Sequence, residues 1–188
     1  QYRDRSIMKS WREPVVTSRP VQVERVPDGT PMDLPAGTKA EITQALGSNF
    51  TLHVEGQLVR LAGRDADAIG KPVPVAVEAQ ADVQLDDVKG LVWQTLRTCY
   101  DPEIPVNIVE LGLIYVCDVI PIDDEQVKVS IKMTLTAPGC GMGDAIANEV
   151  AEKVLALPRV AEVNVDMVFD PPWTRYHMSE AARLTLGL

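Results

Sequence analysis

The stretch QVKVSIKMTLTAPGCGMGDAIANEV, Gln126 to Val150, changes its hydrophobic period in the middle. In its first half Val127, Val129, Ile131, Met133 and Leu135 alternate with Lys128, Ser130, Lys132, Thr134 and Thr136. Successive side chains of a strand point to opposite faces, so this spacing predicts a strand with one apolar and one polar face. After the turn Pro138-Gly139-Cys140-Gly141-Met142-Gly143 the spacing lengthens. Ile146, Val150, Val154 and Leu157 then make a helical stripe that Pro158 ends. A strand, a glycine-rich turn and a helix follow one another here.

Working outward, Leu85, Val88, Leu91, Val92 and Leu96 fall at helical spacing and stop before YDPEIP. LIYVCDVI, from Leu113, is a β-branched run joined to the Gln126 strand by PIDDE, a hairpin by composition. VAEVNVDMVF, from Val160, reads as a third strand that DPPW breaks, and Ser179 is placed to cap a short last helix. The order α-β-β-α-β followed by a short C-terminal helix predicts an α+β sandwich with helices on one sheet face, over residues 78–188.

The N-terminal half has another texture. TKAEITQAL, NFTLHVE and QLVRLAG are short, roughly alternating runs punctuated by PDGTP, PAG, GSN and EG. They predict a small β domain over 21–77, an antiparallel sheet or barrel built from hairpins. Residues 1–20 lack a usable period and read as an arm. GKPVPVAVEAQAD, with two prolines, is either a last edge strand or the linker between halves. A separate core for each half predicts modest contacts between them.

Composition bounds the function. The net charge of -9 argues against nucleic acid or an anionic membrane as partner, because phosphate contacts need clustered Lys and Arg. No apolar run reaches the ~20 residues of a membrane span. The polar beginning does not resemble a signal peptide, and Met8 offers a native start. Cys99, Cys117 and Cys140 are odd in number and far apart, so neither a disulfide framework nor a C-x-x-C site is written here. A reducing cytoplasm suits such a chain.

Cys140 sits at or just before a helix N-terminus, where unpaired N–H groups and the helix dipole favour a thiolate. Its flanking glycines let a partner atom approach closely. The alternative is a small residue in a tight turn. An anion nest is a third reading, although the lysine of a P-loop is missing. A cysteine hydrolase would need a positioned histidine, and nothing in the sequence brings His53 or His177 to the thiol. Asp101, Glu103 and Glu110 lie in a proline-stiffened loop that either forms solvated turns or supplies oxygen ligands. Cys117 belongs to a strand and is expected in the core. Cys99 ends the first helix beside the acidic loop and is the remaining candidate for a second thiol. Met142 and Met178 are expected to pack, and Trp173 to anchor the C-terminal tail.

DPEIPVNIVELGLIY, MTLTAPGCGMGDAIANEV and VDMVFDPPWTRYHMSEAARLTLGL together resemble the SufT-type iron–sulfur cluster assembly auxiliary proteins in their long form. The wider family includes iron–sulfur targeting-factor and PaaD-like domains. The resemblance covers Gln84 to Leu188; residues 21–77 are similar to the long form's extension. It implies an adaptor or transient carrier, not an enzyme, that helps deliver clusters to client apoproteins. It also implies that Asp101, Glu103, Thr134, Thr136 and Cys140 form the cofactor-binding site, with Cys140 as metal ligand. Some relatives carry a second threonine before the proline where this chain has Ala137. The cofactor implied is a transiently held iron–sulfur cluster or iron, with none required for folding. Partners implied are iron–sulfur assembly proteins and client apoproteins, with a homo-oligomer left open. A thiol-dependent enzyme using Cys140, or an interaction module without metal, is the opposing reading. Asp101 or Glu103 is expected to lie against the Cys140 turn.

Overall fold

A computed structural model describes residues 12–74, 83–138 and 141–188. Residues 1–11 of the expected arm, residues 75–82 of the proline-bearing stretch, and Cys140 lie outside the described residues. Six strands make the first sheet: β1 (Glu13–Val16), β2 (Val21–Val26), β3 (Pro31–Leu34), β4 (Lys39–Gln44), β5 (Phe50–Val54) and β6 (Gln57–Leu61). Their order is β1-β4-β5-β6-β2-β3, every pairing is antiparallel, and the sheet is open rather than a closed barrel. Its inner face buries Val21, Val23, Ile42, Leu52, Val59 and Leu61. A 3-10 segment, Gly63–Ile69, covers this core with Ala68 and Ile69 and is tied back by Arg19, which pairs with Asp65 and Asp67.

One expectation needs correction here. Part of the expected arm is β1, which pairs with β4 from Glu13↔Ile42 to Val16↔Lys39. The segment is short and lacks a period, and its Pro14 cannot donate a ladder hydrogen bond. An edge strand pairs on one side only and tolerates this.

The second sheet has three strands, β7 (Ile114–Pro121), β8 (Val127–Met133) and β9 (Val160–Met167), in that order. β7 and β8 form the expected hairpin, whereas β8 and β9 run parallel. Parallel neighbours need a crossover, and α2 (Gly143–Leu155) supplies it. α1 (Leu85–Leu96) packs on β7 and on α2, so both helices cover one face. Val88, Val92 and Leu96 of α1 and Ile146, Val150 and Val154 of α2 are fully buried against Val127, Val129, Ile131 and Met133. The opposite face carries polar side chains, among them the ion pair Lys128–Glu162 at 2.9 Å.

The chain closes with α3 (Glu180–Leu186), capped as expected by Ser179, whose hydroxyl accepts the Ala182 N–H at 3.0 Å. Trp173 fastens this tail: its indole N–H donates to the Leu111 carbonyl at 2.7 Å. The fold is thus α+β, a small β unit followed by an α-β-β-α-β sandwich and a short helix. Val26, at the end of β2, is buried in the second core, so the two units share apolar surface.

Candidate functional site

The described site residues lie in the segments between regular elements. Asp101 and Glu103 occupy the coil between α1 and β7, Thr134 and Thr136 follow β8, and the glycine turn leads into α2. Asp101 Oδ1 accepts the Glu103 N–H at 2.9 Å, closing an Asx turn around Pro102. Burial pushes the Asp101 carboxyl pKa up, opposed by the backbone N–H groups of Glu103 and Ile104. Desolvation disfavours the charged form, so this carboxyl holds a proton more readily than an exposed one. Glu103 itself is exposed.

Thr134 departs from its sequence pattern. Alternation assigns it to the polar face, yet it is 1% exposed. Regular pairing with β7 stops at Met133, and Thr134 instead donates its N–H to the Leu113 carbonyl at 2.8 Å as the chain leaves the sheet. Its hydroxyl has no hydrogen-bond partner among the described residues. A buried unpaired hydroxyl costs ~1–3 kcal/mol, and such atoms in native structures call for a reason, often a ligand or a reactive role. Thr136 is half-buried two residues on.

Cys140 lies outside the described residues, whereas the start of α2 just beyond it is described. Met142 is 1% exposed and begins α2 with φ -77 and ψ -8. Met142, the N-cap of α2, makes no side-chain capping hydrogen bond. Amides at such a start can receive an anion instead. The expected approach of Asp101 or Glu103 to Cys140 therefore lies outside the described residues. The contacts that are described run elsewhere: Gln44 Nε2 donates to the Asp101 carbonyl at 3.0 Å, and Thr51 Oγ1 to the Pro102 carbonyl at 2.7 Å.

The two described thiols are both buried. Cys99 is fully buried, with Sγ directed at the Thr95 carbonyl at 3.8 Å. Burial, then the nearby Glu149 carboxylate, pushes its pKa up to about 12. The expectation that Cys99 could serve as a second thiol is corrected, because α1 ends at Leu96 and the following turn carries the side chain into the core. Cys117, on β7, is buried as expected and is pushed up to about 11 by burial. His177 stacks on Tyr115 with centroids 5.6 Å apart and closes a capping box with Thr174, so it holds the tail in place.

Sequence reasoning missed a charged seam between β6 and α2. Arg60 pairs with Glu149, and both side chains are 9% exposed. Asn49 Nδ2 donates to the same carboxylate at 2.7 Å, while Lys153 Nζ lies 2.9 Å from its other oxygen. A cleft of about 430 Å³ opens along this seam, lined among others by Glu24, Arg64, Asn148 and Glu152; among the described residues, Asp101, Glu103, Thr134 and Thr136 do not line it. Among the described residues no group of three or more His, Cys, Asp or Glu side chains converges on a metal position. No described helix is long and apolar enough to cross a membrane.

Comparison with known proteins bears on the second unit. Residues 89–165 match a family described as iron–sulfur cluster assembly protein. An Fe-S protein maturation auxiliary factor of Porphyromonas gingivalis is 48% identical over 96 residues, which are 51% of this chain and 88% of that protein. The auxiliary factor YitW of Bacillus subtilis is 40% identical, over 54% of this chain and 95% of its own length. The auxiliary factor SufT of Staphylococcus aureus is 41% identical, over 47% of this chain and 96% of its own. With nearly the whole length of three such proteins matched, this chain belongs to the SufT-type family of iron–sulfur protein maturation auxiliary factors.

Proposed function

We propose that this protein assists the maturation of iron–sulfur proteins as a non-enzymatic adaptor or transient carrier, handing clusters to client apoproteins. The observation that carries the reading is the near-complete match to three auxiliary factors. The residues present support a passing rather than a resident cargo. A cluster takes about four protein ligands, mostly thiolates. Burial raises the pKa of Cys99 and Cys117 and so disfavours their thiolates, and in this reading the chain's remaining thiol, Cys140, makes the contact. Further thiolates would come from the client, an assembly protein or a second copy. Asp101, Glu103, Thr134 and Thr136 form the supporting shell in this reading. In this reading the Asp101 carboxyl, its pKa raised by burial, and the Thr134 hydroxyl, unpaired among the described residues, give a proton or a hydrogen bond to the departing ligand.

We place the protein in the cytoplasm, where the two described free thiols stay reduced. Anaerobic reconstitution tests the reading. After desalting, the chain alone should retain less iron and sulfide than one cluster per chain. Mixed with a [4Fe–4S] apoprotein and a cluster donor, it should raise the client's rate of filling. A stable, stoichiometric cluster on the isolated monomer would overturn the transient-carrier reading, and an unchanged client rate would overturn the auxiliary role.

A further inference from the structure

The N-terminal sheet lies outside the residues that match the family, yet its cross-contacts fall on the segments of the candidate site. β4 and β5 hold the acidic loop by its carbonyls, through Gln44 to Asp101 and through Thr51, 4% exposed, to Pro102. The turn joining β2 to β3 rests on the glycine turn. Gly29, at φ +71, packs its backbone against the Gly141 carbonyl, and Gly141 packs in turn against the Asp28 carbonyl. Neither position has room for a Cβ, because the obstructing atoms on both sides are backbone. β6 completes the set by anchoring Arg60 on Glu149, two turns along the helix that the glycine turn begins.

We propose that the N-terminal sheet is a clamp that sets the spacing of the acidic loop from the glycine turn and restrains the segment next to Cys140. The physical argument is one of rigidity. Asp101 and Gly141 lie in irregular segments, whose conformation the sheet of β7, β8 and β9 does not fix by its own ladder. β2, β4, β5 and β6 belong to one hydrogen-bonded sheet, so the points that grip the two segments keep a constant separation. The glycines at 29 and 141 permit the backbone approach that a side chain would forbid. The positioning residues are Gly29, Gln44, Thr51 and Arg60. The inference rests on the reading of the Cys140 turn as the working end of the molecule, and it deepens that reading by giving the first half of the chain a role there.

Native alkylation of the full chain with limiting iodoacetamide tests it, with rates read for each cysteine peptide by mass spectrometry. Cys99 and Cys117, buried and with raised pKa, serve as slow internal references and report any unfolding. In Gly29→Ala the new Cβ must push the Gly141 carbonyl away, so Cys140 should label faster by roughly threefold or more. Gly37→Ala is the control: its φ of +84 carries the same backbone strain, but nothing lies within 4 Å of a Cβ there, and its Cys140 rate should equal wild type. Equal Cys140 rates in all three folded proteins would overturn the clamp. If Gly29→Ala does not fold, Arg60→Met combined with Glu149→Gln loosens the β6–α2 seam of the same clamp without adding a Cβ, and Lys153 keeps its bonds to Thr98. Faster Cys140 labelling supports the clamp, and an unchanged rate overturns it. Labelling needs no cluster chemistry, so a failure of the maturation role would not disturb this readout.

Discussion

Thr134→Val exchanges one buried hydroxyl for a methyl group of nearly equal volume, and both side chains are β-branched and stiff at χ1. The threonine is 1% exposed and its oxygen is unpaired among the described residues. Burying a hydroxyl without a partner costs ~1–3 kcal/mol, a cost the valine does not carry. Part of that gain is offset because the replacement methyl must fit where an oxygen sat in a close-packed region. A net stabilisation of about 1 kcal/mol results. Urea unfolding followed by circular dichroism reads it as a higher midpoint at unchanged slope. The same variant should transfer clusters to a client more slowly, since the hydroxyl is kept at a cost to stability. A destabilisation of more than ~1 kcal/mol would refute the reasoning, because it would mean the hydroxyl is paired in the native fold.

Asp101→Asn should retain the Asx turn, since its amide oxygen can still accept the Glu103 N–H. Because the folded pKa of Asp101 is raised, its contribution is full in acid and is lost as pH rises through the folded value. The variant should therefore gain on wild type between acid and neutral pH, measured by urea midpoints across that range. Removing Cys99 tests the same linkage in alkali. With a folded pKa of about 12, wild type should lose stability as pH climbs above the ordinary thiol range, and Cys99→Ala should show a shallower decline. Trp173→Phe loses the 2.7 Å bond to the Leu111 carbonyl and should cost ~1–2 kcal/mol, with the tail beyond Thr174 exchanging amide hydrogens faster.

Much of the fold could be read along the chain because its signals are local. The stripe Val88, Val92, Leu96 and the alternation from Val127 to Met133 are periods, and the Ser179 cap is a residue type in its preferred place. β1 was hidden because Pro14 and four residues give little period, and only β4 makes the segment a strand. The parallel pairing of β8 with β9 depends on the path of α2, which no window of either strand contains. In the site, residue types at Asp101 and Thr134 were legible, whereas their burial was not, since it is set by where the β7–β8 ladder stops and by the neighbouring sheet. The Gly29–Gly141 approach and the Arg60–Glu149 pair join residues far apart in sequence and chemically ordinary in their own segments.

The most direct measurement compares cluster transfer by the native chain and by Cys140→Ser under anaerobic conditions, with the rate of client filling followed by the client's own activity. Urea unfolding of the same samples shows whether the two proteins are equally folded. The account predicts equal stability and a rate for the serine variant that falls to that of the donor alone. A serine variant as stable and as fast as the native chain would contradict it, and would leave Cys140 as no more than a small residue in a glycine turn.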